Sequence, residues 1–286
     1  MIKIITASEY YEDIKQFSPI SSGDPILDVL LRGGFVPGPV YFLYGPKKML
    51  SSILMKAAVN SLKKNDEEQP SHSIAYIDGE NRFDPYLISK LAVSNRLNPS
   101  SVLEHIIVSR IFTWDQMVEV LYEKLSTINK NRINLVLVDG ITSMFEKTSQ
   151  LIDPLRKREY NGLITQKSLN SKAFQDLKMM FLGLNKIIER FNPIIILTGP
   201  LHSKSEYRPA GGHILSHFSG IIVGIHENLR YIDYSLDQHP FLPNQKERFW
   251  SSPLSRQSPQ KRNALSKTIH NLTLDKYLTK FSKNDE

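Results

Sequence analysis

Cysteine does not occur once in the 286 residues, which excludes disulfides, thiolate metal sites and cysteine nucleophiles together. Also missing is any run of about eighteen apolar residues, the least a membrane-spanning helix needs. The first residues, MIKIITASEYYEDIKQF, soon turn acidic and polar instead of following a basic end with a long apolar core, so they do not read as a secretory leader. These absences lead us to expect a soluble, intracellular chain. What is present is a balanced globular composition, 41% hydrophobic and 23% charged, enough for one large core with appendages.

The positive charge outweighs the negative, with 36 Lys and Arg against 29 Asp and Glu. Part of the excess sits in the last residues, 251–286, where Arg256, Lys261, Arg262, Lys267, Lys276, Lys280 and Lys283 face three acids. A second basic cluster is Arg156, Lys157 and Arg158, in a stretch rich in Asn, Ser and Gln. Runs of this kind either track the phosphates of a nucleic acid or form solvated surface, and composition alone does not choose between them.

Apolar runs and helical patterns alternate along the chain. Val40 to Tyr44, Ile74 to Ile77, Ile106 to Val108, Leu135 to Val138, Ile194 to Leu197 and Ile221 to Ile225 read as buried strands. Leu50, Ile53, Leu54, Ala57 and Ala58 recur at helical spacing after the first of them, and Phe174 to Phe191 repeats the pattern. Such alternation predicts an α/β fold: a mostly parallel, twisted sheet with helices on both faces and ligands at the carboxyl ends of the strands. Those ends carry the polar residues: Gly45 after the first strand, Asp78 and Glu80 after the second, Asp139 after LVLV, Thr198 after IIIL.

The first strand and its helix, YFLYGPKKMLSSILMKAA, have the layout of a phosphate-binding loop but lack its lysine. The pattern G-x-x-x-x-G-K-[ST] needs a second glycine to curl the backbone round the phosphates, a lysine to neutralise them and a hydroxyl for magnesium. Gly45 and Ser52 fit it; Leu50 and Ser51 stand where the second glycine and the lysine belong. In a loop of that shape, a leucine at a left-handed position costs on the order of 1 kcal/mol. A serine hydroxyl cannot offset a developing phosphoryl charge, so hydrolysis is expected to be lost or very slow. Lys47 and Lys48 lie within the loop and are the candidates for a displaced substitute.

Several blocks together resemble the RecA/RadA recombinase family in its archaeal and eukaryotic branch, including its paralogs. They are FSPISSGDPILDVLLRGGFVPGPVYFLYG, IAYIDGENRFDP, IIVSRIFTWDQM, LVLVDGITSMF and, most specific, RPAGGHILSHFSGIIVGI with Pro209, Gly211, Gly212 and His217. The resemblance implies a RecA-like P-loop core over 21–250, preceded by a linker and polymerisation strand at 1–20 and followed by a basic, partly disordered tail at 251–286. The small helical N-terminal DNA-binding domain of the family is expected to be absent. By resemblance, Glu80 stands at the water-activating base, Asp139 at the metal-side acid and His217 at a sensor. Leu87 replaces an adenine-stacking arginine, and Pro200 a phosphate-sensing glutamine. Gly45, Lys47, Lys48, Ser51 and Ser52 then mark a degenerate nucleotide loop, and Glu80 and Asp139 can equally be scaffold that caps loops or pairs with cations.

The resemblance also assigns surfaces. Ile4 and Ala7 correspond to the family's short polymerisation motif, in which alternate side chains of an added strand plug into a neighbour. The two DNA-facing loops correspond to about Lys147 to Lys172, enlarged and basic around Arg156, Lys157 and Arg158, and to His202 to Arg208, shortened, with Lys204 and Arg208 as phosphate contacts. His213 and His217 are four apart, but with no acidic third ligand nearby no metal is expected.

The function expected is that of a non-hydrolysing recombinase paralog. It would bind single-stranded DNA and a RadA-type recombinase or another paralog, assisting filament assembly in homologous recombination and DNA repair. No cofactor is expected, and ATP and Mg2+ only if the loop retains binding. The alternatives are a weak DNA-dependent ATPase that uses Lys47 or Lys48, and an adaptor that binds protein only. An archaeal cytoplasm is the expected location, a nucleus if the source is eukaryotic.

Overall fold

A computed structural model describes residues 6, 9, 17–63, 72–128, 132–143, 166–202, 209 and 212–250. Their centre is one eight-stranded sheet: β1 (Val40–Tyr44), β2 (His72–Asp78), β3 (Ile106–Arg110), β4 (Arg132–Asp139), β5 (Ile194–Gly199), β6 (Ile221–Glu227), β7 (Tyr231–Gln238) and β8 (Gln245–Trp250). The order across it is β3-β2-β4-β5-β1-β6-β7-β8. The first six strands pair in parallel, and β7 and β8 are added antiparallel at one edge.

Parallel strands connected by crossover helices are covered on both faces, so both sets of alternating side chains must be apolar. In β1, Tyr41 and Leu43 join the core on one face, while Val40, Phe42 and Tyr44 join the core on the other. The first core is closed by α1 (Pro25–Leu30), α2 (Lys47–Ser61), α3 (Pro85–Ser94) and α4 (Pro99–Glu104). The second is closed by α5 (Trp114–Glu119) and α6 (Gln166–Phe191), with Leu215 of α7 (Gly212–Phe218). Helices on both faces of a mostly parallel sheet are what the alternation of patterns predicts.

Local chemistry fixes the helix starts. Asp24, Asp84 and Asn98 each sit one residue before a proline and accept two backbone N–H groups of the helix that follows, pairing a side-chain cap with a proline that has no N–H to lose. Thr113 and Gln116 form a reciprocal capping box at α5. From α5 the chain runs on through a π-helical turn, Val120–Lys124, to Leu125–Thr127. The turn lies against Gly183 of α6, where a Cβ would stand 2.0 Å from the Leu121 carbonyl oxygen; only glycine lets the two backbones come this close.

Two expectations change. The segment from Lys147 to Lys172 is not loop throughout, because α6 begins at Gln166; its apolar stripe, Leu177, Met180, Phe181, Leu184 and Ile187, is buried on the sheet, and the regular pattern simply starts earlier on a polar first turn. Strands β7 and β8 go beyond the six apolar runs, since β8 exposes every second residue and reads as polar. The tail at 251–286 lies outside the described residues. Among the described residues no helix is long and apolar enough to cross a membrane.

Candidate functional site: a self-paired lysine where a phosphate loop would be

Strand β1 delivers the chain at Tyr44 and α2 begins at Lys47, so Gly45 and Pro46 alone connect them. The extended phosphate loop of the sequence pattern is therefore not formed. A phosphate nest needs several successive N–H groups pointing inward from a curled loop, and here the residues that would curl are already helical. Contrary to the left-handed, strained position that the pattern predicts, Leu50 is helical and 1% exposed, in the core beneath α2. Its apolar side chain is the physical reason for the early start, because burying it gives the helix a hydrophobic anchor one turn further forward. Gly45 is required on two counts: its φ of +153° is one that L side chains rarely adopt, and a Cβ there would lie 2.4 Å from the Ile225 carbonyl oxygen on β6.

The helix then separates the loop residues by period. Lys47 and Ser51, four apart, turn toward the ends of β2 and β4. The Lys47 ammonium lies 2.9 Å from Glu80 Oε1 and donates to Oε2 at 3.1 Å, and the Glu80 side chain is only 5% exposed. Ser51 is buried and donates to the Lys47 carbonyl at 2.9 Å, as helical serines commonly do. The same hydroxyl can turn instead to Asp139. Lys48 and Ser52 face the other way, into a cleft of about 360 Å3 that they line with Asp24, Lys56 and Glu227.

Asp139 ends β4 in a dry setting, 1% exposed. Thr198 Oγ1 donates to its Oδ1 at 2.9 Å and accepts from Gly140 N at 2.9 Å, while the Tyr76 hydroxyl donates to Oδ2 at 3.2 Å. Burial pushes the carboxyl up to about 6; the bonds from Ser51 and Thr198 act against this, and the charges of Glu80 and Asp78 add to it. Burial likewise raises the Tyr76 phenol well above its ordinary value, with the Asp139 charge next. Asp78 accepts from the backbone N–H groups of Arg82 and Phe83 at 3.0 and 3.1 Å, so it shapes the turn after β2. The result is a group of buried carboxylates whose nearest cation belongs to the chain itself.

The other sequence candidates scatter. His217 is exposed in the last turn of α7. Leu87 packs against the first core, and Pro200 is buried directly after β5. Pro209 bridges Leu201. Ile4, Ala7, Arg156, Lys157, Arg158, Lys204, Arg208 and the side chain of His213 lie outside the described residues. No group of three His, Asp or Glu side chains able to hold a metal occurs among the described residues.

A profile of the Rad51 family matches residues 14–235, most of the described sheet. The chain belongs to the Rad51 family. Among its relatives are the DNA repair and recombination protein RadA of Cenarchaeum symbiosum, 26% identical over 221 residues, and DNA repair protein RAD51 homolog 1 of Arabidopsis thaliana, 24% identical over 213 residues. These alignments cover 75% and 74% of this chain but 52% and 60% of the relatives. DNA repair protein rhp51 of Schizosaccharomyces pombe is 26% identical over 217 residues, which is 75% of this chain and 57% of that protein. The chain thus spans about half to three-fifths of the length of these relatives.

Within this member of the Rad51 family, the arrangement after β1 does not fit the loop that holds a triphosphate. The connection is two residues long, Lys47 is held by Glu80, and Lys48 and Ser52 look into a different cleft. Sequence reasoning allowed Glu80 a cation as its partner but did not name Lys47. The only signal for this pairing was opposite charge at the carboxyl ends of two strands, β1 and β2, that are not neighbours in the sheet.

Proposed function

We propose that this chain is a non-hydrolysing member of the recombinase family, a paralog that binds single-stranded DNA and a RadA-type recombinase or another paralog and assists filament assembly in homologous recombination and repair. The observation that carries the first part is the Lys47–Glu80 pair. A carboxylate engaged by an internal ammonium is a poor water-activating base, and a lysine so held is withdrawn from any phosphate. The relatives' names supply the recombination and repair setting.

Partner binding is supported by the sheet edge. Strand β3 has only β2 beside it among the described residues, and Val108 is 37% and Phe112 69% exposed there. An unpaired edge with apolar side chains is a template for an added strand, and Ile4 and Ala7 are the candidates for the reciprocal hook. DNA binding rests on the basic residues Arg156, Lys157, Arg158, Lys204 and Arg208.

The test is binding of labelled single-stranded DNA and of a RadA-type recombinase at moderate salt. Reversing Arg156, Lys157 and Arg158 to glutamate is expected to weaken DNA binding while leaving partner binding intact. Protein that binds neither DNA nor recombinase sinks the proposal, and binding of partner alone favours the adaptor. The cleft at Lys48, Ser52 and Lys56 favours one second reading, a weak ATPase using Lys48 in place of the missing lysine; phosphate release that is lost on Lys48→Ala would establish it.

A further inference from the structure

The last two strands carry an exposed aromatic and cationic surface that the family site does not use. On β8, Lys246, Arg248 and Trp250 are exposed while Gln245, Glu247 and Phe249 alternate with them on the other face. On that first face, Tyr231 of β7 lies directly opposite Trp250, and Asp233 opposite Arg248. The Tyr231 and Trp250 rings meet edge to face with centroids 5.3 Å apart. The Arg248 guanidinium lies 4.0 Å from the Tyr231 centroid and 5.7 Å from that of Trp250. Asp233 grips it with two bonds of 2.6 and 2.9 Å. Arg248 is thus a fixed planar group within a ladder of rings. Trp250 ends the ladder 63% exposed.

Such an exposed indole needs an explanation, because most of a tryptophan's surface is normally covered. An added protein strand is disfavoured: Lys246 and Arg248 on an outer strand are the residue types that keep sheet edges from pairing. A polyanion with flat apolar faces suits the surface better. Single-stranded nucleic acid offers bases to stack on Trp250 and phosphates for Lys246, the combination by which such strands are bound without sequence preference. The sequence that continues from Trp250 adds seven Lys and Arg against three acids.

We infer that the Tyr231–Arg248–Trp250 face of β7 and β8 is a second contact site for single-stranded DNA, with a base stacked on Trp250 and a phosphate on Lys246. The inference rests on the DNA-binding reading above and adds a location apart from the basic loops.

The chain holds two tryptophans, and the other, Trp114, is 7% exposed with its N–H donated to Asp176 at 2.7 Å. Quenching by DNA therefore reports on Trp250. The full chain is titrated into fluorescein-labelled oligothymidylate for anisotropy, and unlabelled oligothymidylate into the chain for tryptophan emission. The expected result is quenching that saturates with the anisotropy. Trp250→Ala weakens binding about tenfold, the loss of one base stack; Trp250→Phe, which keeps an aromatic face, binds nearly as wild type. Lys246→Glu weakens binding and flattens its salt dependence. Anisotropy binding with unchanged emission, and with Trp250→Ala at wild-type affinity, overturns this site and leaves the DNA-binding reading standing; it is also the pattern a protein-docking surface gives. No anisotropy change at all overturns both.

Discussion

Replacing Lys47 by methionine isolates the feature that separates this site from a phosphate loop. Methionine keeps the helical propensity and most of the apolar stem, so the change removes chiefly the ammonium that contacts both oxygens of Glu80. Breaking a fully buried ion pair by removing one partner costs about 3–5 kcal/mol. Glu80 is 5% exposed but Lys47 is 34% exposed, so water can approach one side of the stranded carboxylate and the expected loss is about 2 kcal/mol. Glu80→Gln should cost less, about 1 kcal/mol, because the lysine it leaves behind can turn to solvent. The double variant should then lose about 1 kcal/mol as well, giving a coupling of about 2 kcal/mol between the two sites. Urea denaturation of the four proteins with a shared slope measures this directly. A Lys47→Met protein within about 0.5 kcal/mol of wild type, or a cycle that is simply additive, would show that the pair is incidental and refute the reasoning.

Two further outcomes follow from buried groups. The Asp139 carboxyl is pushed up to about 6 from 3.8, so between these values the folded chain holds a proton that the unfolded chain has lost. Stability therefore falls as pH rises through about 4 to 6, by at most roughly 3 kcal/mol. Asp139→Asn, which can still accept from Thr198, should flatten that slope in urea melts across the range and be no less stable than wild type near neutrality; an unchanged slope would contradict it. Gly183→Ala should destabilise by about 3 kcal/mol, the upper end for overpacking, because its Cβ meets the Leu121 carbonyl oxygen, a backbone atom that cannot turn aside. Thermal unfolding at wild-type temperature would show that α6 and the π-helical turn can slide apart freely.

The parallel core was legible because strands covered on both faces must be apolar throughout: Val40–Tyr44 and Ile194–Leu197 announce themselves. Strand β8 was not, because QKERFW mixes a buried phenylalanine with exposed Lys246, Arg248 and Trp250, and its alternation shows only once β7 is beside it. The absence of a lysine at Ser51 was plain in the sequence. What replaced the loop was not, since it depends on a tertiary fact: Leu50 finds space in the core and draws α2 forward, which rotates Lys47 toward Glu80 and Lys48 away from it. Helical period then explains why four of the residues read as one nucleotide site, Lys47, Lys48, Ser51 and Ser52, divide into two pairs. The charge clusters at Arg156–Arg158 and beyond 250 are compositional features, and residue type alone does not position them.

The most direct test of the account is calorimetric titration of the purified chain with ATP in the presence of magnesium, with phosphate release followed in parallel. A site closed by its own lysine predicts no binding heat and no turnover above background. Micromolar binding that is lost on Lys47→Ala or Lys48→Ala would contradict it, because a lysine would then be reaching a phosphate from a loop that the structure shows as helix.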